Sequence, residues 1–131
     1  MKIAKYIAIF LVVGFFGIVL IERFPGVMVP TSEEHVSLMF GLFKISLLDD
    51  ITHALSGILG LIAVCLGCKW TVKYLMLVGG YYTLDATFFI VNGFMTGQPI
   101  VENISLNLPH VIIAGLVYFA LIKSVKNIEL A

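Results

Sequence analysis

The sequence predicts an all-α integral membrane protein, a bundle of four spanning helices. Three observations carry this expectation. The chain of 131 residues is 60% hydrophobic and only 12% charged, against roughly 45–50% and about 25% in soluble domains. Its mean hydropathy is +1.08, and a chain this short has too much surface to hide so much apolar material from water. The apolar residues also gather into four runs, each near the ~20 residues that cross a bilayer.

The first run, about 4–21, follows Lys2 and Lys5. It ends in Ile21-Glu22-Arg23-Phe24-Pro25, where a secretory signal would carry a small-x-small cleavage site, so it is read as a retained membrane helix. The second, about 47–66, carries polar residues at its start. The third and fourth run over about 72–94 and 104–122. Pro25-Gly26 and Pro30, then Gly67-Cys68-Lys69, then Gly93, Gly97 and Pro99 punctuate them. The short second connection makes helices two and three antiparallel neighbours. Four strands could not close into a barrel in lipid and would leave unpaired edges, so strands are not expected to span.

The first loop is not featureless. Thr31-Ser32-Glu33-Glu34 reads as a capping box, a hydroxyl followed three residues later by a glutamate. Val36, Met39, Phe40 and Phe43 follow at helical spacing. A short amphipathic helix over about 32–43 is therefore expected in the first external loop, lying in the interface or folded over the bundle.

Lysine and arginine together number eight, as do aspartate and glutamate, so net charge is zero, and no basic tract exists to bind nucleic acid. With four spans, Lys2, Lys5, Lys69, Lys73, Lys123 and Lys126 fall on one side. Glu22, Glu33, Glu34, Glu102, Arg23 and Lys44 fall on the other. Lysine-rich ends stay in the cytoplasm, which places both termini inside in a cell membrane. Tyr6, Trp70 and Tyr118 suit the interfaces. The expected partners are the lipid bilayer, and other membrane subunits or further copies of the chain.

Helices two and four echo each other. Asp50-Ile51-Thr52-His53 and Asn107-Leu108-Pro109-His110 each place a carboxylate or amide three residues before histidine. Each also follows an Ile-Ser-Leu triplet, Ile45-Ser46-Leu47 and Ile104-Ser105-Leu106. The echo suggests two repeated helical hairpins, of the parallel kind related by an axis along the membrane normal. The run Asp50-x-x-His53-x-x-x-Gly57-x-x-Gly60-Leu61, with Asn107 and His110, resembles a bacterial family of small four-helix membrane proteins of unassigned function. The resemblance covers about 41–121. Asp50 stands where that family usually has asparagine, and Pro109 is atypical. The likeness implies topology and imports no activity.

Ionisable groups in the hydrocarbon are costly and usually face the bundle interior with partners. Here they are Asp49, Asp50, His53, Asp85 and His110. Residues three apart share a helix face, so Asp50 is expected beside His53 and Asn107 beside His110. Tyr81, Tyr82, Asp85 and Asn92 extend a polar stripe on helix three. His53, His110, Asp50, Asp85 and Asn107 are thus the candidate metal ligands, for a transition metal or, through the two histidines, a haem. Asn107, an amide, is a poor transition-metal ligand. The same groups could instead relay protons, or simply bond helix to helix.

Other signals point to packing. Ser56, Gly60, Ala63 and Gly67 give helix two a small-residue face, and Gly14 and Gly17 offer the same on helix one. Cys65-x-x-Cys68 has no second pair and no adjacent histidine, so it reads as small residues at a tight turn. No nucleophile elbow, phosphate loop or zincin motif appears. The expectation is a non-enzymatic bundle with an internal Asp/His/Asn cluster that binds a cation or relays protons near the outer face. The alternatives are an accessory subunit of a larger complex and a metal- or haem-dependent membrane enzyme.

Overall fold

The structure, a computed structural model, describes residues 2–32 and 34–129, the last five of these in backbone only. Glu33 and the side chain of Lys126, both used in reading the charge pattern, lie outside the described residues. Four helices form: α1 Lys2–Ile21, α2 Leu47–Leu66, α3 Cys68–Met95 and α4 Ile100–Glu129. All four are long and apolar enough to cross a membrane, α4 over Ile100–Ser124. The protein is a multi-pass membrane bundle. α1 packs most closely along α2 and α3 along α4, the pairing that two hairpins would make.

The first loop corrects the expectation. The described residues of 32–43 do not form an amphipathic helix. A three-stranded antiparallel sheet stands there instead, β1 Met28–Pro30, β2 Val36–Met39 and β3 Phe43–Ser46, in that order. Met39 pairs with Phe43 and Val36 with Ser46. The reason is the turn between them. Phe40 (φ 53°) and Gly41 (φ 70°) sit in the left-handed region, which reverses the chain in the middle of the supposed helix. Gly41 takes that conformation without steric cost. Phe43-Lys44-Ile45-Ser46 then alternates apolar and polar, the period of a strand, with Ile45 buried and Lys44 exposed. Thr31 caps no helix there. Its hydroxyl donates to the carbonyl of Val36 at 2.9 Å.

The capping box lies fifteen residues further on. Ser46 is the N-cap of α2, and its Oγ accepts from the Asp49 N–H at 3.3 Å, while Asp49 Oδ2 accepts from the Ser46 N–H at 2.8 Å. Two otherwise unpaired helix-end groups are thereby satisfied. The two Ile-Ser-Leu triplets are consequently not equivalent. The first ends β3 and opens α2, whereas the second lies inside α4.

At the opposite end Gly67 alone (φ 102°) separates α2 from α3. Its positive φ lets the chain reverse in one residue, so α3 starts at Cys68, earlier than the hydropathy pattern suggests. The buried Thr71 hydroxyl closes the corner by donating to the carbonyls of Ala63 (3.3 Å) and Gly67 (3.1 Å).

In lipid the apolar side chains gain little from leaving their surroundings, so helices are held by close packing and polar contacts. The interior shows this. Ala4, Ala8, Leu11 and Phe15 of α1 form one buried stripe against Ala63, Leu75, Val78, Tyr82 and, on α4, Ala114, Val117 and Ala120. Gly60 marks the tightest approach: a Cβ there would lie 2.5 Å from Val12 Cγ2 and 2.7 Å from the Tyr74 ring. The small face of α2 is thus used against both neighbours. Gly14 and Gly17 are not used in this way, since both face open space.

Candidate functional site

The sheet caps one end of the bundle. This sheet end gathers the last turn of α1, the first of α2, the last of α3 and the first of α4. Asp85 lies ten residues before Met95 and His110 ten after Ile100, about 15 Å along each helix. Equal depth lets them meet. His110 Nδ1 lies 2.7 Å from Asp85 Oδ2. The two side chains are in close polar contact, without a well-formed hydrogen bond at Nδ1.

His53 comes from α2 and is 7% exposed. Its Nδ1 has no protein partner among the described residues. Rings link it to the other histidine. Phe15 stacks on His53 at 5.8 Å, Tyr82 stacks on Phe15 at 5.6 Å, and His110 tilts against Tyr82 at 5.4 Å between centroids. Tyr82 is 1% exposed. Its hydroxyl lies near Ser56 without closing a well-aligned bond. Tyr82, buried at this crossing, is more central than Tyr81 or Asn92, which are exposed.

Both histidines also line one cavity of about 130 Å³, between the underside of the sheet (Met39, Phe43, Ile45) and the ends of the helices. Asp49 joins them there, and Asp50 does not. The expected Asp50–His53 pair is therefore replaced by Asp49 and His53, four residues apart and equally able to share a face. Asp50 turns instead toward Glu22, just past α1. Burial, then the hydrogen bond with Asp50, push the Glu22 carboxyl up to about 8. Glu22 Oε1 and Asp50 Oδ1 are both buried without a donor among the described residues.

Asn107 departs from its expected role as well. Its amide donates to the carbonyl of Asn103 at 2.8 Å and to Asn103 Oδ1 at 3.2 Å. Asn103 is fully buried and donates to the carbonyl of Ile90 on α3 at 2.8 Å. It packs on Gly93, where a Cβ would lie 2.5 Å from the carboxamide. This residue was missed in the sequence. The four-residue spacing of Asn103 and Asn107, opposite a glycine on the preceding helix, was the available signal.

The five proposed ligands therefore do not assemble. Asp50 faces Glu22, Asn107 faces Asn103, and Asp85 faces His110. Among the described residues no three His, Cys, Asp or Glu side chains converge to hold a metal ion. The 130 Å³ cavity is well below the ~300–1,000 Å³ of small-molecule sites, so a haem has no room in it. It has room for about four waters at ~30 Å³ each. Cys65 and Cys68 are both free thiols at the far end.

Comparison with protein families places this geometry. Residues 5–123 match the family model described as Domain of unknown function DUF4383. The chain belongs to that family. DUF4383 is a family of unassigned function, as the motifs of helices two and four implied. No curated protein and no solved structure matches the chain. Within a DUF4383 chain, then, the paired histidines, the Asp85 contact and the carboxyl pair are the features that chemistry can be argued from.

Proposed function

We propose that the protein is a proton-responsive membrane bundle, whose histidine pair takes up and exchanges protons through a hydrated cavity under the sheet. One observation carries the reading: His53 and His110 line the same small cavity together with Asp49. An imidazole with an unpartnered nitrogen beside water can bind and release a proton near neutral pH. Asp85 stands behind His110, with its Oδ2 2.7 Å from the ring Nδ1. The sheet covers the cavity, which keeps bulk solvent and larger solutes away from the histidines.

Nitrogen-15 histidine spectra of the protein in lipid nanodiscs test this. At least one of the two imidazoles should gain a proton between pH 5 and 8, and His110→Gln should alter the titration of His53. Two imidazoles that ignore both pH and each other would remove the proposal. Elemental analysis beside a His53→Ala/His110→Ala double variant tests the competing cation reading. A stoichiometric metal found only in the wild type would replace protons with that metal.

The proposed orientation puts the sheet outside the cell membrane and both termini in the cytoplasm. It is supported by Lys2, Lys5, Lys69, Lys73 and Lys123 at the end opposite the sheet. Trp70 lies at that end too, with Lys73 Nζ 4.7 Å from its ring. The native thiols report on it. A membrane-impermeant maleimide should reach Cys68 only after the cells are permeabilised, and labelling in intact cells would invert the topology.

A further inference from the structure

The bundle interior holds two hydroxyls that the histidine pair does not account for. Tyr82 is 1% exposed and Tyr74 is 4% exposed, and neither hydroxyl closes a hydrogen bond among the described residues. Phenylalanine would fill the same seam without burying a polar group, as Phe15 does where it stacks on Tyr82. The two hydroxyls lie against successive turns of α2. Tyr82 reaches toward Ser56. The Tyr74 hydroxyl is 2.7 Å from where a Cβ of Gly60 would stand. Four residues of helix, about 6 Å, separate these two levels, and one water with bonds of about 2.8 Å on either side spans such a gap.

The seam joins the two ends of the bundle. At the sheet end the Tyr82 ring tilts against His110, which lines the cavity with His53. At the lysine end the buried Thr71 stands three residues before Tyr74, on the same face of α3. Its hydroxyl donates to the carbonyls of Ala63 and Gly67 at the α2–α3 corner, and its lone pairs stay available to a donor behind it. We propose that Tyr82, Tyr74 and Thr71 form a path along which protons cross from the histidine cavity to the lysine end. The path rests on the reading of the histidine pair as a proton site. From His53 to Gly67 it follows fourteen residues of α2, about 21 Å, which is most of the ~30 Å hydrocarbon thickness. Each step conserves charge. A hydroxyl takes a proton on an oxygen lone pair while it passes its own hydrogen to the next acceptor, then turns back, so no group in the seam keeps a charge. Protons move this way between hydroxyls and single waters. A hydrated alkali ion finds no such width where Val12 and Tyr74 press on Gly60.

The full chain in liposomes loaded with pyranine tests the path. A potassium gradient with valinomycin should drive protons inward faster than in protein-free liposomes. Tyr74→Phe and Tyr82→Phe should each slow that flux about tenfold, as the loss of one hydrogen-bonding link gives. Tyr118→Phe removes an exposed hydroxyl outside the seam and should leave the flux unchanged. Nitrogen-15 histidine spectra of Tyr74→Phe should titrate as in the wild type, the sign of a folded chain with its cavity intact. No flux in the wild type, equal flux in Tyr74→Phe and the wild type, or an equal loss in Tyr118→Phe would overturn the path. A Tyr74→Phe variant whose histidines no longer titrate would overturn it too, since its lost flux would then come from the cavity. Where the wild-type histidines still titrate, the path alone falls and the proton site stands; where they do not, both fall together.

Discussion

His110 on α4 meets Asp85 on α3 at 2.7 Å, two ionisable groups joined at the same depth within the bundle. Interhelical polar contacts in membranes average about 0.6 kcal/mol and reach about 2. A double-mutant cycle with Asp85→Asn and His110→Gln should therefore give a coupling energy in that range, read from unfolding in mixed detergent micelles. Additive single effects would mean that the contact contributes nothing to stability.

Glu22 sets a pH dependence of its own. Its folded-state pKa is pushed up from 4.5 to about 8 by burial and by Asp50. The folded protein thus holds this proton more tightly than the unfolded chain does. The stabilisation is complete below about 4.5 and is lost as pH rises through about 8. Stability should fall between those limits in the wild type, and Glu22→Gln should flatten the fall. An unchanged slope in the variant would move the effect to another group.

Gly60 tests the close approach of α1, α2 and α3. A Cβ at this position already overlaps Val12 and Tyr74, so Gly60→Val must part three helices. Overpacking of this kind costs about 1–3 kcal/mol. Gly14→Val, on open surface, should cost much less, and equal thermal stabilities for the two variants would refute the assignment of the seam.

Asn103 joins α4 to the carbonyl of Ile90 and holds Asn107 in place. Asn103→Leu removes the donor and places a branched side chain against Gly93. A loss of about 1–2 kcal/mol is expected, from a buried polar group left unpaired. Gly93→Ala should produce a similar loss through the same contact, because the new methyl group displaces the carboxamide. If Gly93→Ala is neutral, Asn103 is not seated as described.

Composition and hydropathy were enough to determine the membrane class, the four helices and the small-residue face of α2, because each depends on local sums of apolar and small residues. The residues that mark the site, His53, Asp85 and His110, were legible as well, since ionisable groups in long apolar runs are conspicuous. Their partners were not. A carboxylate three or four residues before a histidine suits one helix face equally, and only the packing of α1 chose Asp49 for the cavity and gave Asp50 to Glu22. The rotation of α3, which aims Asp85 at His110, is invisible in a chain whose faces are nearly all apolar. The first loop went the other way for a related reason. Val36, Met39, Phe40 and Phe43 satisfy a helical spacing as readily as a hairpin, and the decision fell to the left-handed turn at Phe40-Gly41 and to the antiparallel pairing it permits. Periodicity records which residues prefer to be covered. Only the tertiary structure determines what covers them.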